Sequence, residues 1–155
     1  MIIIDSSPSL GDETLAVMLA SDELVVVSTP DYPTLSMTLK AVKKAKQRDA
    51  RISGIILNKV HNKDFEIPLK DIEETIDLPV LAAIPHDLNV LRALSQFVPS
   101  VDFKKNSRGS EEFRRLAAAM VGERYKPLQL KRFLRWINPQ QQDINREVYY
   151  SQVFK

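Results

Sequence analysis

The residues best suited to chemistry are few, and each sits where an apolar run stops. Asp5 follows the run Met1–Ile4 and precedes Ser6, Ser7, Pro8 and Gly11. A buried strand that ends in a lone carboxylate is the arrangement a metal–nucleotide site uses. Three further tips have a similar build: Ser28-Thr29-Pro30-Asp31, Asn58-Lys59 and Pro85-His86-Asp87. In open α/β sheets ligands bind outside the carboxyl ends of the strands, so four such tips line one rim. The same residue types also make turns and cap helices, and pattern alone leaves both readings open. His61 and His86 fall in separate loops and read as surface residues rather than metal ligands. There is no Gly-x-Ser-x-Gly turn, so a hydrolase triad has no support.

The elements that must carry these tips are legible in the hydrophobic pattern. Runs of strand length occur at Ile2–Asp5, Leu24–Ser28, Ile52–Leu57 and Val80–Ile84. Helical spacing lies between them. Thr14–Ala20 is nearly all apolar, and Leu35, Leu39 and Val42 recur beside a basic face of Lys40, Lys43, Lys44 and Lys46. Leu69, Ile72 and Ile76 follow Pro68, a good first helical residue. A further helix is expected at Ser110–Val121, with a stripe of Phe113, Leu116, Ala117, Met120 and Val121 and a stop at Gly122. Strands that are almost continuously apolar, alternating with helices, predict an α/β fold: a parallel sheet covered by helices on both faces.

Composition bounds the rest. The chain has 155 residues, 27% charged and 44% hydrophobic, as in an ordinary globular domain. Lys and Arg number 22 against 20 Asp and Glu, a balance of +2 that selects no partner. Cysteine is absent, which excludes disulfides, thiolate zinc sites, iron–sulfur ligation and cysteine nucleophiles. No basic stretch precedes the first apolar run, which argues against a signal peptide.

The order "IIIDSSPSLG", "ELVVVSTPDYPTLSMTLKAVK", "ISGIILNKV", "LPVLAAIPHDLNVLRALSQFVP", then a late helix ending in glycine, resembles the MinD/ParA group of P-loop ATPases over residues 1 to about 122. The resemblance implies a P-loop NTPase-like fold, incomplete at the N-terminus, and ATP and Mg2+ as cofactors of the intact protein. It implies that Asp5 holds magnesium through a water, since magnesium keeps several waters and takes few carboxylates. The loop to Gly11 would sense the third phosphate. Asn58 would hydrogen-bond the adenine ring, to which a side-chain amide offers both donor and acceptor. Pro85, His86 and Asp87 would close over the base. An ATP-bound homodimer, a protein activator or cargo, and a cytoplasmic place at the inner face of the membrane are implied in the same way.

Two departures stand out. Ser7 occupies a position where the family's switch loop usually has proline, although Pro8 is kept. The glycine-rich phosphate loop with its lysines is missing, because none of Gly11, Gly54, Gly109 and Gly122 is followed by lysine. The expectation is that this polypeptide alone does not turn over ATP, because phosphoryl transfer rests on donors it lacks.

Three parts are expected: an ATPase-type portion over 1–123, a basic amphipathic helix over 124–137, and a loosely ordered polar tail over 138–155. Within the helix Leu130, Phe133, Leu134 and Ile137 form one stripe, with Lys131, Arg132 and Arg135 off that face and Trp136 nearby. Such a pattern reads as an interfacial membrane helix on anionic lipid, and it also reads as packing on the chain's own core or on a partner. Nucleic acid has no need of the apolar face. The functional expectation is therefore a MinD-like positioning ATPase at the membrane. The alternatives are a ParA-like partitioning protein binding DNA through scattered lysines, Lys40 to Arg48 among them, and an inactive dimerisation or docking fragment.

Overall fold

A computed structural model describes residues 1–6, 11–125 and 140–154. Three strands form the sheet: β1 (Leu24–Ser28), β2 (Ile52–Val60) and β3 (Val80–Pro85). Their order is β1-β2-β3 and both pairings are parallel. β-Branched residues dominate β1, whose Val27 stays exposed, and the run Gly54–Leu57 at the heart of β2 is buried, as befits a strand that is covered on two sides.

The helices are α1 (Asp12–Ala20), α2 (Tyr32–Lys46), α3 (Leu69–Ile76), α4 (Leu88–Ser95), α5 (Ser100–Phe103), α6 (Arg108–Met120) and α7 (Gln141–Val153). Successive side chains of a strand point to opposite faces. Accordingly Ile55 and Leu57 join Leu35, Val42, Ile72 and Ile76 in one apolar core, while Ile56 joins Leu81, Ile84, Leu116 and Tyr149 in another. The sheet therefore lies between α2 and α3 on one face and α6 and α7 on the other, the α/β architecture expected. Gly54 permits the close approach of β3: a Cβ there would lie 2.7 Å from both Leu81 Cγ and the Pro79 carbonyl oxygen.

Three expectations are corrected. Ile2–Asp5 is not a strand; residues 1–6 are irregular, and Ile2, Ile3 and Ile4 expose 90%, 71% and 50% of their surface. A strand exists only through a neighbour that pairs with its backbone, and no described residue pairs with this segment. The buried face of α6 is rotated from the expected stripe. Gly109, Glu112, Arg115, Leu116 and Ala119 are buried, whereas Ala117 and Val121 are exposed. The third correction explains the second: residues 141–153, expected as loose tail, form α7 and cover that face.

The docking of α7 is largely polar. Arg146 donates to the Leu81 carbonyl at 3.1 Å and to Glu112 at 2.6 Å, and also pairs with Asp143. Asn145 donates to the Val80 carbonyl at 2.8 Å and to Glu73 at 2.6 Å. Tyr149 donates to Glu23 at 3.3 Å; burial first, then the Glu23 charge, pushes its phenol above the ordinary value. Arg115, with its side chain only 6% exposed, pairs with Glu111 and lies 3.7 Å from Asp143. At the end of α6, Gly122 takes φ +77 and meets the ring of Phe154.

Removing one member of a buried ion pair leaves its partner desolvated and alone, which costs about 3–5 kcal/mol. Arg146→Ala should therefore destabilise the fold by about that amount in urea unfolding. The double variant Arg146→Met with Glu112→Met should recover most of the loss, since no charge is then stranded.

Candidate functional site

The carboxyl ends of the three strands carry the candidate residues, and the backbone prepares each one. At β1, the Ser28 and Thr38 hydroxyls are 2.9 Å apart in the core. Asp31 caps α2, with Thr34 N–H donating to it at 2.9 Å. The Thr29 hydroxyl donates to the same carboxylate and, with the Thr34 amide, holds Asp31 below the usual carboxylate range.

At β2 the ladder slips by one residue: Leu57 faces Ala83 and Val60 faces Pro85, so three steps on β2 match two on β3. The extra residue is accommodated where Lys59 takes φ +56. Such a bulge bends a strand and re-aims side chains. It places Asn58, half-buried, at the rim, its Oδ1 accepting the Lys59 N–H at 2.8 Å. That leaves a lone pair of the carbonyl oxygen and the amide NH2 for a ligand edge.

At β3 the tip is tied back to β2, because His86 N–H donates to the Val60 carbonyl at 2.8 Å. The imidazoles of His61 and His86 stack with centroids 4.5 Å apart and 19° between planes, and Phe65 tilts against His61 at 5.9 Å. Glu66 pins the turn beneath them: its carboxylate accepts the amides of His61 at 2.8 Å and Asn62 at 2.6 Å. A cavity of about 200 Å³, lined by Pro30, Val60, Asn62, Lys63 and Ile67 among others, adjoins this turn. It falls below the roughly 300 Å³ of common ligand pockets, so the rim is an open shelf.

Asp87 faces inward. Its Oδ1 accepts the Asn89 amide at 2.9 Å as the cap of α4, and its Oδ2 accepts the Gly109 amide at 3.2 Å from the first turn of α6. Burial pushes the carboxyl up, but hydrogen bonds from Asn89, Ser107 and Gly109 outweigh it and hold Asp87 below its ordinary value. Glycine at 109 allows this approach, since a Cβ there would sit 3.2 Å from Asp87 Cβ.

The sequence-derived candidates thus divide. Asn58, Pro85, His86 and Asp87 lie at the ends of two paired strands. Gly11 caps α1 through its backbone, exposed, ahead of Asp12 and Glu13 in the first turn. Asp5 belongs to the irregular exposed segment. Leu130, Lys131, Arg132, Phe133, Leu134, Arg135, Trp136 and Ile137 lie outside the described residues. The pairing of His61 with His86, and the part played by Glu66, were not read from sequence. An acid four residues beyond a His-Asn pair was the available signal.

These residues fit one end of a nucleotide. The Asn58 amide and the flat imidazole stack suit a planar base. The phosphate end does not fit: the α1 N-terminus is already faced by its own acids, and no glycine-lysine step exists in the chain. Among the described residues no group of three or more His, Asp or Glu is placed to hold a metal ion. No helix among them is long and apolar enough to cross a membrane.

Comparison with known proteins bears on the fold and the family. A family model described as an AAA domain matches residues 10–93. An ATP-binding protein of Methanocaldococcus jannaschii is 32% identical over 132 residues, covering 85% of this chain and 50% of that protein. The septum site-determining protein MinD of Thermotoga maritima is 29% identical over 128 residues, covering 79% and 47%. Among solved structures, MinD of Pyrococcus horikoshii complexed with Mg-ADP aligns with a TM-score of 0.65 at 29% identity, covering 73% of this chain and 46% of that one. The chain spans about half the length of the curated relatives it matches.

Asp87→Ala should loosen two helix starts together and cost about 1–2 kcal/mol. The folded carboxyl is held below its ordinary value of 3.8, so its contribution is complete above that value and fades as pH falls through the lowered one. Urea unfolding of parent and variant should therefore differ at pH 7 and converge under strong acid.

Proposed function

Because the chain belongs to the MinD/ParA family of P-loop ATPases, we propose that it is the base-recognising, C-terminal portion of an ATP-driven switch that positions a partner at the inner surface of a membrane. The observation that carries this reading is the shared rim of β2 and β3. The bulge at Asn58-Lys59 and the His86–Val60 hydrogen bond set an amide beside the Pro85-His86-Asp87 tip. That rim gives an adenine ring an edge to bond and a surface to lie on.

In this reading the intact protein binds ATP with Mg2+, which supplies the charge neutralisation of phosphoryl transfer. Asp5 holds the hydrated ion once a paired neighbour turns its segment into a strand, and Gly11 lies in the loop that senses the third phosphate. The intact protein pairs as a homodimer in its ATP state. The segment bearing Leu130, Phe133, Leu134, Trp136 and Ile137, with Lys131, Arg132 and Arg135, binds anionic lipid weakly and reversibly. Dimerisation doubles that anchor, and a protein activator or cargo completes the switch.

The test is a chimera. Residues 1–155 joined to the N-terminal half of the Methanocaldococcus jannaschii relative should hydrolyse ATP, and Asp5→Asn should slow it about 10–100-fold, as expected for a ligand acting through water. Asn58→Ala should raise KM. The 155-residue chain alone should show no turnover. Nucleotide-dependent hydrolysis by the isolated chain, or an active chimera indifferent to both substitutions, would overturn the reading.

A further inference from the structure

The end of α4 has a backbone that suits glycine and a sequence that supplies phenylalanine. The helix closes with Val98 N–H donating back to the Ala93 carbonyl at 3.0 Å. The residue inside that turn, Phe97, takes φ +55. This left-handed position is usually glycine, and a bulky residue there is an outlier. Among the described residues none offsets this by packing on the ring, because Phe97 is 96% exposed. A strained backbone carrying a solvated aromatic ring is a cost the fold has no use for, and such strain is found where function needs it.

Phe97 crowns a ridge. Leu88, Leu91, Leu94 and Val98 are exposed by 58%, 51%, 69% and 39%. The charges nearby are predominantly positive. Between residues 88 and 108 the bases are Arg92, Lys104, Lys105 and Arg108, all exposed, and the lone acid is Asp102. Among the described residues none of these four bases is in an ion pair. α5 packs against both α4 and α6, which keeps ridge and bases in one corner of the molecule.

We propose that the α4–α5 corner rests on an anionic lipid surface, with Phe97 as the residue that enters the acyl boundary. Apolar side chains rimmed by unneutralised bases match such a surface in both hydrophobicity and charge. This deepens the membrane reading above, but it invokes a separate surface from residues 130–137 and can fail without it.

The test uses the full chain and vesicles of phosphatidylcholine with phosphatidylglycerol, against phosphatidylcholine alone. With Trp136→Phe, the substitution Phe97→Trp leaves one tryptophan as reporter. Its emission should shift to the blue with the anionic vesicles and stay put with the neutral ones. Phe97→Gly relieves the backbone and should leave the melting temperature equal or higher while vesicle partition falls about tenfold or more. An unshifted reporter on vesicles that sediment the protein overturns the proposal. So does sedimentation that survives Phe97→Gly but is lost with Phe133→Glu, which would leave the other segment as the anchor. A reporter that shifts with polyglutamate but not with lipid overturns it in favour of an acidic protein partner. If no variant sediments, both membrane statements fall, and the chimera's turnover still judges the ATPase reading.

Discussion

Among the described strands, only β2 is hydrogen-bonded on both sides, and the rest of the molecule depends on that double pairing. Its first half must let β3 approach closely, which Gly54 permits. Its middle must fill two cores from alternate faces, which Ile55, Ile56 and Leu57 do. Its last residues must leave the ladder with Asn58 held at the rim, and the slip between Leu57 and Val60 accomplishes this. The carbonyl of Val60 then fixes the tip of β3. One strand therefore sets both the core and the shelf.

Much of this is legible in the sequence. β2 and β3 read as apolar runs because a strand buried on two faces has few polar positions to interrupt it, and β1 has the same apolar composition although Val27 is exposed. Pro68 marked the start of α3, and the turn-and-cap reading of the tips holds for Asp31 and Asp87, each of which caps a helix. What escaped was whatever depended on a distant neighbour. Ile2–Asp5 has strand composition but no paired backbone. The bulge at Lys59 leaves no mark on hydrophobic periodicity. α7 escaped for a different reason: Arg146, Asn145 and Tyr149 dock it by hydrogen bonds, and a Gln-rich stretch that docks through polar groups looks like a tail. The same polar docking turned α6 away from its apolar stripe, because Glu112 and Arg115 had partners to face.

The candidate residues differ in how firmly the fold holds them. Groups suited to a flat ring gather where β2 and β3 end, and they are held by backbone contacts that need no ligand. Groups suited to phosphate and metal are sparse among the described residues, and Asp5 lies in an exposed stretch without secondary structure. Asp87 adds a coupling between them and the helical layer, since the carboxylate at the tip of β3 also anchors the first turns of α4 and α6.

The docking of α7 bears on how the chain comes into being. Tyr149 reaches back 126 positions to Glu23, and Asn145 reaches back 72 to Glu73. Contacts so far apart along the chain slow the search for the native state. A ribosome delivering roughly 5–20 residues per second needs several seconds between β3 and α7. During that interval Ile56, Leu81 and Ile84 have part of their cover missing, and a nascent chain in that condition is a natural client for a chaperone.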